Sequence, residues 1–147
     1  MTQIIIRSIT AEETRPLRQI MLRPHQAISE LDYHGDDNEK TYHVGAFLDD
    51  ELVGIASVYL ENAPYKPEPK SWRLRGMAVL HHVQRKGYGK ALLHACLAYI
   101  AKQNGLLIWC NARGGAMSFY QRLGFEVHGD AFEIPGIGLH YIMGRGV

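Results

Sequence analysis

Apolar residues recur along this chain with two periods, near two and near 3.6, and the switches between them mark its elements. Ile4-Ile5-Ile6 is a short β-rich start. Thr10-Ala11-Glu12-Glu13 has the form of a capping box, with Thr10 at the N-cap and Glu13 reaching back. It predicts a helix that runs to about Leu22 and stops before Pro24. Pro16 falls inside that span, so either the helix starts near Thr14 or its first turn tolerates the proline. Residues 25–40 are polar and irregular. Residues 41–48 and 52–60 read as strands, joined through Asp49-Asp50-Glu51 as a hairpin. Pro64, Pro67 and Pro69 make 63–70 a loop. Residues 71–79 are a third long strand.

Ala91, Leu92, Ala95, Cys96, Tyr99 and Ile100 then fall at helical spacing, and Gly105 ends that helix. Residues 106–110 are continuously apolar, as in a strand buried on both faces. Gly114-Gly115 breaks the chain; 116–123 is a short helix with Gly124 as its C′ residue. The last strands are 125–127 and 139–143. Strand 71–79, its helix and strand 106–110 form a βαβ unit whose strands should be parallel neighbours. The pattern predicts one α/β domain over 1–147, built on a mixed sheet.

Composition narrows the function. The chain has 147 residues, enough for one real core. Sixteen Lys and Arg against 15 acids give no bulk charge for nucleic acid or membrane. The apolar run within Met1-Thr2-Gln3-Ile4-Ile5-Ile6 is too short for a signal peptide, and no stretch approaches the ~18 apolar residues of a membrane helix. Cys96 and Cys110 make neither a disulfide scaffold nor a metal set; both read as small buried hydrophobes. His81-His82 cannot easily chelate one ion together, so no metal is expected. A soluble, reduced, cytoplasmic protein is the expectation.

The chemistry concentrates where strand 71–79 gives way to its helix, at Gln84-Arg85-Lys86-Gly87-Tyr88-Gly89-Lys90. A helix N-terminus offers unpaired N–H groups and partial positive charge, glycines let backbone approach a ligand, and Arg85, Lys86 and Lys90 add charge. Together they suit a phosphate or pyrophosphate. A P-loop fails at two positions, with Gln84 for its first glycine and Ala91 for its hydroxyl residue. A dinucleotide fingerprint fails at its third glycine, which is Leu92 here. The pattern Gln/Arg-x-x-Gly-x-Gly/Ala fits throughout, and resembles the acyl-CoA-binding loop of the GNAT superfamily of N-acetyltransferases. After the next strand, Asn111-Ala112-Arg113-Gly114-Gly115-Ala116-Met117-Ser118-Phe119-Tyr120-Gln121-Arg122-Leu123-Gly124-Phe125 resembles a second GNAT segment in the right order. Leu22-Arg23-Pro24 with Gln26, and the ending from Phe132 to Met143, are similar to the bacterial ElaA-like subgroup.

The resemblance implies a sheet splayed between strands 71–79 and 106–111, with the arm of acetyl-CoA, the co-substrate, between them. Met77, Ala78 and Val79 would line the arm, and the backbone of residues 84–90 would hold the pyrophosphate. An amine would attack the thioester directly. Tyr120 takes the position of the family's usual acid for the leaving thiolate; a tyrosine pKa of about 10 lies above a thiol's ~8.5. The usual strand glutamate, the base in many members, is replaced by Arg75, so His140 on the last strand stands in as base, with Glu133 and His43 as weaker choices. By strict alternation Arg73, Arg75 and Met77 share one strand face, and Leu74, Gly76 and Ala78 the other. Arg75 in the acceptor channel would favour a small amine carrying a carboxylate or phosphate; a salt bridge to Glu133 or Glu61 is the structural alternative. Arg113 stands where the family carries a CoA-contacting asparagine, and Asn111 would touch the acceptor instead. Trp109 shares its face and reads as core before pocket wall. The resemblance admits a homodimer. The rival reading is a catalytically idle acyl-CoA-binding or sensing module.

Overall fold

The computed structural model describes residues 4–147. Met1-Thr2-Gln3, half of the N-terminal stretch read above as too short for a signal peptide, lie outside the described residues. Eight strands are found among them: β1 (Ile4–Ser8), β2 (Tyr42–Leu48), β3 (Glu51–Leu60), β4 (Ser71–Val79), β5 (Leu107–Arg113), β6 (Glu126–Val127), β7 (Phe132–Ile134) and β8 (Gly138–Gly146). Three α-helices accompany them: α1 (Ala11–Leu17), α2 (Tyr88–Lys102) and α3 (Met117–Arg122). The strand order is β1-β2-β3-β4-β5-β8-β6, with β7 also on β8, and the sheet is mixed as predicted. The chain divides into two compact units, Met1–Tyr59 with Leu74–Tyr99, and Leu60–Arg73 with Ile100–Val147.

In the first unit, β1, β2 and β3 form antiparallel pairs around a core of Val44, Ala46, Val53, Ile55, Ala56 and Val58, all sealed from solvent. The β2–β3 connection is a two-residue loop in which Asp49 and Asp50 both have positive φ, the primed geometry that matches strand twist. Thr10 caps α1 through the reciprocal box with Glu13. Pro16 does not delay the helix. The chain turns helically from Ala11, and beyond Pro16, which has no N–H to give, it continues as one π-helical turn, Arg18–Leu22.

Strict alternation fails in β4. Gly76 has φ +68°, a bulge geometry glycine adopts without penalty. Ala78, expected beside Leu74, packs instead with Ile9, Leu17 and Ile55. Val79 lies beside Leu92 of α2, against the backbone of Gly54. The faces of the strand exchange at the bulge, so Met77 does not continue the row of Arg73 and Arg75.

In the second unit, Ser71–Arg73 pair in parallel with Leu107–Trp109, and β5 pairs antiparallel with β8 from Leu107↔Gly146 to Arg113↔His140. β5 thus runs three residues past the predicted end. β7, a strand the sequence reading did not include, pairs Phe132↔His140 to Ile134↔Gly138 across a Pro135-Gly136 turn. At the end of α2 the left-handed residue is Asn104, with φ +61°. Gly105 acts by packing: a Cβ there would sit 2.7 Å from Trp72 Nε1.

Candidate active site

In the first unit, β4 ends in a short 3₁₀ turn, His81–Val83, and then residues 84–90. Gln84 has φ −68°, Arg85 +63° and Gly87 +86°, with Lys86 outside the positive-φ residues. Alternating signs of φ turn successive N–H groups to one side, a concavity that receives anions. The first helical bond of α2 runs from Ala91 N–H to Gly87 C=O, so the N–H groups of Tyr88, Gly89 and Lys90 precede the ladder. An added Cβ at Gly87 would meet open space; the glycine is needed for its backbone angle and clears a path to the loop. Arg85, Lys86 and Lys90 are exposed, and Tyr88 and Gly89 are half-buried. The Gln84 side chain turns back, its Nε2 donating to the carbonyl of Val79 at 2.8 Å. Gln84 itself is exposed, and this bond braces the loop against the end of β4. These residues fit a pyrophosphate through backbone donors and flanking cations.

Beneath α1 the first unit buries a polar cluster that sequence reasoning missed. The Asp36 carboxylate receives four donors: Arg18 Nη1 (2.6 Å) and the Tyr33 N–H (2.8 Å) on Oδ2, Arg18 Nη2 (3.1 Å) and the Tyr59 hydroxyl (2.5 Å) on Oδ1. Arg18 is wholly buried, and its Nη1 also donates to the Leu31 carbonyl at 2.8 Å. Its Nη2 reaches the Ser57 hydroxyl oxygen at 3.4 Å. The His43 tautomer follows from its partners. The Asp36 carbonyl can only accept, so Nε2–H donates to it (3.1 Å), and Nδ1 accepts from the Ser57 hydroxyl (2.6 Å). Burial raises the Asp36 carboxyl, but the bonds from Arg18, Tyr59 and Tyr33 outweigh it and hold the pKa below its usual value. Burial lowers His43 and keeps it neutral. The only sequence signals were an arginine beside Leu17 on an apolar helix face and a glycine-centred turn at 32–37; nothing joined residues 18 to 41 positions apart.

Above this cluster sits Tyr33. The Arg18 guanidinium carbon lies 3.9 Å from its ring centroid and that of Arg75 lies 4.0 Å away. Glu61, one partner considered for Arg75, pairs with Arg73, with Nη1 to Oε2 at 3.4 Å.

In the second unit, Tyr120 lies on α3, buried, with Phe119 and Phe125 each 5.2 Å away between ring centroids. His140 is buried on β8, and its Nδ1 lies 2.8 Å from the Gly138 carbonyl. That carbonyl fixes Nδ1 as the protonated nitrogen and leaves the lone pair on Nε2. Asn111 is half-buried on β5, opposite Ile142. Trp109 is core, its Nε1–H donating to the Glu61 carbonyl at 2.9 Å. Cys96 and Cys110 are buried free thiols.

Residues 6–125 match the model of the Acetyltransferase (GNAT) family. The chain belongs to the GNAT family. As a GNAT protein it is an acyl-CoA-dependent acetyltransferase. Over 138 residues it is 36% identical to the uncharacterized N-acetyltransferase YitI of Bacillus subtilis (strain 168), covering 94% of this chain and 93% of that one. The same fold is found in Escherichia coli ElaA, with TM-score 0.77, 18% identity and 97% and 99% coverage. An aminoglycoside 6'-N-acetyltransferase complexed with coenzyme A shares it too, with TM-score 0.75, 15% identity and 97% and 96% coverage.

Proposed function

We propose that this GNAT acetyltransferase moves an acetyl group from acetyl-CoA to the primary amine of a small, anionic acceptor. The observation that carries the reading is the alternating-φ loop at the start of α2, with three exposed cations around it. The backbone of residues 84–90 holds the pyrophosphate, and Met77, Ala78 and Val79 line the pantetheine arm. Arg75 and Asn111 contact the acceptor.

The attacking amine must be neutral, and His140 takes its proton on Nε2. The carbonyl carbon becomes tetrahedral, and its oxygen gains negative charge that a β4 N–H near Val79 stabilises. Collapse breaks the carbon–sulfur bond; Tyr120 protonates the departing thiolate, and the second proton, shed by the nitrogen as it becomes an amide, returns to the tyrosine through solvent. The test is thiol release from acetyl-CoA across a panel of amines. Tyr120→Phe should lower kcat by about 10²-fold or more, the scale of a positioned acid, without weakening acetyl-CoA binding. Unchanged kcat removes Tyr120 from the chemistry. Failure to release thiol with any amine, in a protein that binds acetyl-CoA, would favour the sensing module.

A further inference from the structure

We propose that Tyr33 and Arg75 form the subsite for the acceptor's anionic group, a carboxylate or a phosphate, and that Tyr33 determines acceptor specificity. The proposal rests on the acetyl-transfer reading above and deepens it.

Tyr33 belongs to a turn that has little freedom. Its N–H donates to the Asp36 carboxylate, and its carbonyl accepts from the Asp36 N–H at 3.0 Å. Gly35 takes φ +91°, and its carbonyl accepts the Thr41 hydroxyl at 2.7 Å. Arg18 grips the same segment at three points, the Leu31 carbonyl, the Tyr33 ring and the Asp36 carboxylate. A wholly buried arginine committed to a surface turn is costly to assemble, and it holds one aromatic ring in place.

That ring carries Arg75. The Arg75 guanidinium carbon lies 4.0 Å from the ring centroid, and the planar five-donor fork of a guanidinium is the group whose geometry matches a carboxylate or phosphate. Arg75 and Tyr33 are both half-buried, so an anion there would be partly desolvated and its bonds stronger than at an open surface. The Gly76 bulge makes the arrangement fit. A Cβ at Gly76 would lie 3.2 Å from the Tyr33 ring. At a strand rise of ~3.3 Å, Arg75 lies about 7–13 Å along β4 from Met77–Val79, within reach of the two ends of one small molecule. The acceptor class is therefore a short amine with an anion at its far end.

The experiment compares matched amines that differ only in the anion. Amino acids of increasing length are set against their carboxamides, and aminoalkyl phosphates against the corresponding amino alcohols. Each pair is run with wild type, Arg75→Gln and Tyr33→Leu, and the acetyl-CoA-induced shift in unfolding midpoint is recorded for every protein. The expected result is at least a tenfold kcat/KM preference for the anionic member in wild type, equivalent to 1.4 kcal/mol. Both variants should bring that ratio towards one, mainly through KM, while keeping the acetyl-CoA shift. Which pair shows the larger ratio identifies carboxylate or phosphate. Equal turnover of charged and neutral members, or a preference that survives Arg75→Gln, overturns the proposal. So does a panel in which no anionic amine is acetylated. Absence of the acetyl-CoA shift in wild type would instead overturn the acetyl-transfer reading on which it stands.

Discussion

Asp36→Asn probes the energetics of the buried cluster most sharply. The substitution keeps the shape of the side chain and removes its charge. Four donors then face a group with one carbonyl oxygen and an NH₂ that can accept nothing. Arg18 has no solvent exposure, so its cation is left buried beside a neutral amide. Removing one partner of a buried pair costs about 3–5 kcal/mol, a large part of the roughly 5–15 kcal/mol that holds a domain folded. At about 2–4 °C per kcal/mol, the midpoint should fall by roughly 6–20 °C. Urea unfolding at pH 7 and 25 °C measures it, and Arg18→Met with the double variant completes a cycle. The double variant should lose less than the sum of the singles by about 2 kcal/mol or more, because the second change removes the stranded charge. A cost below about 1 kcal/mol for Asp36→Asn, or strict additivity, would refute the reasoning.

Other expectations follow from the same geometry. Stability should fall on acidification in two stages. At pH 8 His43 is neutral folded or unfolded; below about 6.5 the unfolded chain takes up its proton first, so stability declines by up to ~1.4 kcal/mol per pH unit until the folded histidine also protonates. Asp36, lowered in the fold, adds its own loss as pH falls below its usual value near 3.8. Urea midpoints from pH 8 to 3 measure both, and His43→Gln should remove the first stage; an unchanged slope there would contradict the assignment. Gly76→Ala places a side chain at φ +68° against Tyr33 and should cost about 1–2 kcal/mol, read by thermal unfolding. Burial pushes the Cys96 and Cys110 thiols up to about 12, so neither should react with a thiol reagent at pH 8 until the chain unfolds; rapid native labelling would contradict their placement. Thr10→Ala removes a reciprocal cap and should cost about 1 kcal/mol in the urea midpoint.

What the sequence made legible was local. The capping box, the hairpin, strand Ser71–Val79 and the glycine loop each announce themselves within a few residues, and each stands where it was expected. So does Gly124, at φ +89° after α3. What was hidden depends on partners distant in the chain. A three-residue β7 shows no period of its own and exists because β8 offers it an edge. The bulge at Gly76 looks like any strand glycine until Tyr33 is seen above it. Arg73 and Arg75 are indistinguishable by spacing, yet one meets Glu61 and Trp109 and the other meets Tyr33. The Arg18–Asp36 pair joins a helix to a loop read only as polar and irregular.

The central claim is that residues 84–90 form an acyl-CoA site. Thermal unfolding of the wild-type chain with acetyl-CoA, CoA and NAD tests it directly, with Gly87→Val as the comparison because a β-branched residue cannot easily hold φ +86°. At ~100 times Kd a ligand stabilises by about 2.7 kcal/mol, a midpoint rise of roughly 5–11 °C. The account predicts that rise with acetyl-CoA and CoA, none with NAD, and its loss in Gly87→Val. No rise with either CoA species, or an equal rise in the variant, would contradict it.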